Sequence, residues 1–195
     1  EPTVLRAVQT VVDDGLAKPI LIGRPTVIRR RIQQLGLRLQ AKRDFEVVNP
    51  ESDRRFRVYS DAYFQLMKRL GVSLSDARLT VRTTPTVIAG LLVKRGEADA
   101  MLCGMHGHFQ DHLDHLIAIL GKRERVLSAA TMNVLVLRKG TFFICDTNVN
   151  DSPSAEIIAE MTLMTVERVK RFGITPKVAL LAASNFGTRK SDSAK

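Results

Sequence analysis

Tryptophan is absent from the 195-residue chain, tyrosine occurs twice, and aromatic residues make up only 5% of it. With so few rings, and with no RNP-like, helix-turn-helix or finger pattern, the platforms and reading heads of nucleic-acid-binding modules are missing. Cysteine is equally scarce. Cys103 and Cys145 stand alone, outside any C-x-x-C or Cys/His zinc spacing, which excludes a disulfide framework and leads to two reduced, half-buried thiols. Long apolar runs are also lacking: Lys18–Gly23 and Thr131–Leu137 fall far short of the roughly 20 residues that span a bilayer, so no membrane segment is expected. The start, Glu1-Pro2, runs straight into an amphipathic pattern with neither a cationic leader nor an apolar signal core. It reads as a piece of a longer cytoplasmic protein rather than a secreted precursor.

What is present is an ordinary share of apolar residues, 45%, and a formal charge of +10. Clustered cations can signal a polyphosphate partner. Here they fall in Arg29-Arg30-Arg31, Lys42-Arg43 and Arg54-Arg55, a distribution equally expected of solvated helix faces and loops. No nucleic-acid partner is expected, although a basic surface also suits a nucleotide phosphate.

Hydrophobic spacing gives the organisation. Val4, Leu5, Val8, Val11 and Val12 recur at helical intervals and Gly15 closes the run; Pro19–Gly23 then reads as a short buried strand. Arg24-Pro25 opens a helix carrying Val27, Ile28, Ile32 and Leu35, Phe45–Val48 is a second strand, and Arg57–Leu70 a helix with Tyr59, Tyr63, Leu66 and Leu70 along one face. Leu79–Val81 fits either a strand or a helix end. Thr84-Pro85 begins a helix to Gly96, Ala98–Cys103 reads as a strand, and Asp111–Leu120 as the helix behind it. Strands alternating with helices of these lengths indicate an α/β fold with parallel, doubly wound sheets. After Gly121 the pattern changes: Val126–Leu137 and Thr141–Asp146, joined across Arg138-Lys139-Gly140, predict a hairpin. Asp151-Ser152-Pro153 caps a helix to about Phe172, and Lys177–Ala182 is a further buried strand. The division expected is residues 1–125 as a first α/β domain, 126–150 as a hairpin boundary, and 151–195 as the start of a second.

Three of these strands end in small or turn-forming residues, at Gly23-Arg24-Pro25, Gly104-Met105-His106-Gly107-His108 and Ser184-Asn185-Phe186-Gly187-Thr188. Ligands of open parallel sheets bind outside the carboxyl ends of the strands, where small residues let backbone amides approach an anion. One such turn is simply a turn; three favour a crevice. The predicted ligand contacts are Ser184, Asn185, Gly187 and Thr188, with Arg189 and Lys190 for phosphates, and Gly104, His106 and His108 across from them. For Arg189 and Lys190 a solvated tail is the competing reading. His106, His108, His112 and His115 raise a metal site, but their spacing does not match H-E-x-x-H, and polar surface residues account for them equally. No catalytic residue is assigned: Ser184 lacks a G-x-S-x-G setting, and Cys103 lies in an apolar run whose burial would keep its thiol inert.

Gly96–Gly104 resembles the central motif of the phosphate acetyl/butyryl transferase family, and Pro19–Gly23, Asp151–Glu156 and Pro176–Leu181 follow in that family's order. Arg54-Arg55-Phe56-Arg57, Thr131–Val134 and Ser184–Gly187 are similar to the versions carried at the C-terminal end of bacterial malic enzymes. The resemblance implies two α/β/α domains of the isocitrate/isopropylmalate dehydrogenase-like type facing across a cleft, the second incomplete here, with a Ser-Arg pair and a catalytic aspartate beyond residue 195. It also implies differences. Where classical transferases carry arginines this chain matches Met67 and Asp114, and a lysine-bearing turn is replaced by Ser184–Gly187. Methionine cannot donate to an acyl phosphate and aspartate would repel it. The expectation is a non-catalytic regulatory module that binds acetyl-CoA as an allosteric inhibitor within a homo-oligomer, with NAD(P) and a divalent metal, Mg or Mn, in an attached malic enzyme domain. An active phosphate acetyltransferase and a ligand-free assembly platform are the alternatives.

Overall fold

The computed structural model describes residues 1–181, and its chain divides into two compact units, Glu1–Gly121 and Lys122–Lys195. In the first unit, β1 (Ile20–Ile22) and β2 (Glu46–Val48) pair in parallel, with Ile20 opposite Glu46, Leu21 opposite Val47 and Ile22 opposite Val48. Strand alternation sends neighbouring side chains to opposite faces. Leu21 and Val47 accordingly pack against a core of Leu5, Val8, Ile32, Leu39 and Phe45, supplied in part by α1 (Pro2–Asp13) and α2 (Pro25–Gln34). Ile20, Ile22 and Val48 face the other way, into a core built with α3 (Phe56–Met67), α4 (Leu74–Thr83), α5 (Pro85–Lys94) and α6 (Phe109–Leu120). Helices on both faces of a parallel pair make the α/β layering that the periodicity predicts.

The ambiguous stretch Leu79–Val81 is helical and belongs to α4. A capping box starts that helix well ahead of it: the Ser73 hydroxyl accepts from the Asp76 amide, and the Asp76 carboxylate accepts from the Ser73 amide. The burial agrees with a helix. A strand would put Leu79 and Val81 on one face, whereas Leu79 is exposed and Val81 is fully buried. Ala98–Cys103, expected as a strand, is irregular, with a bend at Asp99 and no ladder. Strands are held by a neighbour's hydrogen bonds, and no described segment pairs with this one. Its Leu102 is fully exposed and Cys103 is exposed too, so the expected burial of that thiol does not hold; Cys145 is half-buried.

In the second unit, β3 (Asn133–Leu137) and β4 (Gly140–Ile144) form the antiparallel hairpin, with Asn133 opposite Ile144 and Leu137 opposite Gly140. The first strand begins later than the β-rich run from Val126 suggests. Amides upstream are taken by carboxylates instead of a ladder: Leu127 and Ser128 donate to Glu160, and Thr131 donates to Asp146. Helix α7 (Ala155–Lys170) starts just after the Asp-Ser-Pro expected to cap it, since the cap is Ser154, whose side chain accepts from the Ile157 amide. Met161 and Val169 are its buried residues. Residues 177–181, expected as a strand, also pair with no described segment, and Ala182 lies outside the described residues.

Candidate functional site

An open cleft of about 410 Å³ lies in the first unit, lined by Thr84, Gly107, Asp111, His112, Asp114 and His115. Two helix starts shape it. Thr84 is the N-cap of α5, with Pro85 in the first turn, and His108 is the N-cap of α6, without a capping side-chain bond at either. Between Cys103 and His108 the chain turns through Gly104 (φ 109°) and Gly107 (φ 89°), left-handed positions that favour glycine.

His112 ties these parts together. Its Nε2 lies 2.5 Å from the carbonyl oxygen of His106, and its Nδ1 lies 2.7 Å from Oγ1 of Thr86, a residue only 4% exposed. A carbonyl can only accept, so Nε2 carries the hydrogen and, in the neutral ring, Nδ1 accepts from the Thr86 hydroxyl. Both ring nitrogens are thereby engaged. Gly107 sits so close that a Cβ there would meet His112 Nε2 at 3.2 Å. Asp111 and Asp114 add two exposed carboxylates; Gln110 Nε2 donates to Asp114 Oδ1 at 2.7 Å, and Asp111 occupies the first turn of α6, where the helix dipole favours an anion. Among the described residues no lysine, arginine or cysteine lines the cleft. The chemistry that these described residues offer is hydrogen bonding around two carboxylates.

The Arg54–Arg57 motif serves a different cluster. Arg55 donates to Asp53 Oδ1 at 3.0 Å and to Glu97 Oε2 at 3.4 Å, Arg95 donates to Glu97 Oε1 at 2.6 Å, and the Tyr59 hydroxyl donates to Glu97 Oε2 at 2.6 Å. Burial pushes the Glu97 carboxyl up, but the Tyr59 and Arg95 hydrogen bonds and the two guanidinium charges outweigh it and hold it below the usual range. The Tyr59 phenol is pushed up, first by burial and then by its bond to Glu97. This network joins the start of α3 to the exit of α5, immediately before the segment that leads to the cleft.

Of the residues expected to contact ligand, Gly104, His106 and His108 are in the described chain, and none of them is among the lining residues. His106 joins the cleft through its carbonyl, while its ring Nε2 lies 3.2 Å from Glu1 Oε1. Ser184, Asn185, Gly187, Thr188, Arg189 and Lys190 lie outside the described residues. Thr84, Thr86 and Gly107 are not among the contacts the sequence predicts; Thr84-Pro85 marks a helix start, but nothing local links Thr86 to a histidine 26 positions on. Among the described residues no group of three His, Cys, Asp or Glu is placed to hold a metal ion. Met67 packs against the larger core.

A parallel strand pair between helix layers makes this an α/β protein, and its fold is that of solved phosphotransacetylases. The chain belongs to the phosphate acetyl/butaryl transferase family, whose model matches residues 1–195. A phosphotransacetylase from Streptococcus pyogenes superposes with a TM-score of 0.83 at 28% identity, over 98% of this chain and 57% of that one. An NADP-dependent malic enzyme of Escherichia coli is 54% identical over 96% of this chain, and an NAD-dependent malic enzyme of Rhizobium meliloti 52% identical over 98%. The chain spans 25% of the length of each of these two enzymes. A phosphate acetyltransferase from Synechocystis is 28% identical over 95% of the chain.

Proposed function

We propose that the chain is the phosphotransacetylase-like regulatory part of a bacterial malic enzyme, that it binds acetyl-CoA, and that it carries no acetyl-transfer activity of its own. The observation that carries this reading is Asp114 in the lining of the cleft; the resemblance to classical transferases implies an arginine at that position. A carboxylate there opposes the charge that phosphoryl or acyl-phosphate chemistry develops. Met67 supports it as well, since a side chain packed on the core cannot replace a second arginine. The greater identity to these two malic enzymes than to the phosphate acetyltransferase points the same way.

In this reading malate decarboxylation, with NAD(P) and a divalent metal, belongs to the remainder of the cytoplasmic parent, and acetyl-CoA inhibits it by favouring one state of a homo-oligomer. Effector and activity are then linked by the difference in affinity between two states. The test uses the full-length parent: malate oxidation and thermal unfolding are followed during titration with acetyl-CoA, and acetyl transfer from acetyl phosphate to CoA is assayed alongside. Inhibition together with a raised unfolding midpoint, and no transfer, is the expected result. A ligand at about 100 times its dissociation constant adds about 2.7 kcal/mol to the folded state, an easily read shift. Acetyl transfer at a rate typical of enzymes would establish the transferase instead, and a parent indifferent to acetyl-CoA would leave an assembly platform.

A further inference from the structure

The polar contacts of His112 have a geometry that neither the family motif nor the proposed effector accounts for. Its two ring nitrogens are both committed, to the Thr86 hydroxyl on α5 and to the His106 carbonyl in the loop ahead of α6. Thr86 is a buried polar residue whose hydroxyl has this imidazole as its partner. Gly107, next along the loop, is held so close that even a methyl group would press on the ring. These observations concern three separate pieces of chain, and all converge on the loop that borders the cleft.

We propose that Thr86 and His112 form a strap that fixes the Gly104–His108 loop at the edge of the cleft, making both of them positioning residues for the ligand held there. The second half rests on the proposed binding of acetyl-CoA, with its uncharged acyl-thioester end at this cleft. The strap fixes the ring as well as the loop. With Nε2–H spent on a carbonyl and Nδ1 accepting from Thr86, His112 has no free nitrogen with which to act as acid, base or ligand group. Among the described lining residues, His115 is the imidazole left for direct contact with ligand. The bond made by one ring nitrogen sets the tautomer and the direction of the other, and here the buried Thr86 hydroxyl makes it.

The test uses the full-length protein with Thr86→Val, which removes the donor, Thr86→Ser, which keeps it, and His112→Asn, which cannot reach both partners. Cleavage by a broad-specificity protease within residues 104–108, all of them exposed, is expected to quicken by about tenfold in Thr86→Val and His112→Asn and to stay at the wild-type rate in Thr86→Ser, while hydrogen exchange within α5 and α6 is unchanged. Acetyl-CoA affinity should fall about tenfold in the first two variants and recover in Thr86→Ser. Unchanged loop cleavage, or Thr86→Ser behaving like Thr86→Val, overturns the strap. Faster cleavage with unaltered affinity overturns the positioning role. A wild-type parent that does not bind acetyl-CoA defeats the effector reading and with it that role, whereas the cleavage measurement still decides the strap. Should either variant fail to fold, nitrogen chemical shifts of wild-type His112 decide: a protonated Nε2 with a bare Nδ1 is expected, and the opposite tautomer overturns the proposal.

Discussion

Tyr59 buries its ring almost completely and spends its hydroxyl on Glu97, where Arg55 and Arg95 also converge. A bond to a charged acceptor contributes more than a neutral one, so Tyr59→Phe is expected to cost about 1–2 kcal/mol in urea unfolding. Asp146 allows a prediction in pH. Burial pushes its carboxyl up, yet hydrogen bonds from the Thr131 and Asn150 side chains and from the Thr131 and Asn148 amides prevail and hold it at about 2, against an ordinary 3.8. A depressed folded-state value means stability that is complete above the unfolded value and lost as pH falls toward the folded one. Asp146→Asn removes that acceptor charge and should destabilise the protein at pH 7 by about 1–2 kcal/mol, allowing for solvent screening. The gap to wild type should shrink between about pH 4 and pH 2, the window between the unfolded and folded values, read from unfolding midpoints. A gap independent of pH would refute the assignment.

Helices α5 and α6 approach closely at Gly90, where an added Cβ would lie 3.3 Å from Cδ1 of Ile119, a fully buried side chain. Gly90→Val is expected to destabilise by about 1–3 kcal/mol through overpacking, measured as a lower denaturation midpoint with an unchanged urea slope. The helices are the most legible elements in the sequence, because α1, α2, α5 and α7 repeat apolar residues at helical spacing and α1, α2 and α5 carry proline in their first turn. β1 and β2 are legible as short apolar runs. Ala98–Cys103 has the same appearance and is no strand, since an apolar run says only that burial would be favourable, while a hydrogen-bond partner is a matter of the whole sheet. The cleft is half legible for a similar reason: the histidines and Asp111 stand out in a row, but Thr86 becomes a partner of His112 only once α5 packs on α6.

Across the described residues, large apolar side chains are exposed at Leu102, Val136, Leu180 and Leu181, at 100%, 79%, 72% and 90%. Where such exposure forms a patch, it normally marks an interaction face. If the remainder of the proposed malic enzyme covers these side chains, residues 1–195 alone should bind a hydrophobic dye more strongly per molecule than the full-length parent, as fluorescence at matched concentration will show. Equal binding would mean that the parent leaves the same surface open. The two sheets also differ in what they ask of a chain being made. The turn between β3 and β4 joins neighbours, and a hairpin closes in about 1–10 μs. β1 must instead wait for β2, since residues 20–22 pair with residues 46–48 across an intervening helix. At a synthesis rate of about 5–20 residues per second, Leu21 and its neighbours stay unpaired for on the order of a second or more after leaving the ribosome, the interval in which a chaperone would find this chain.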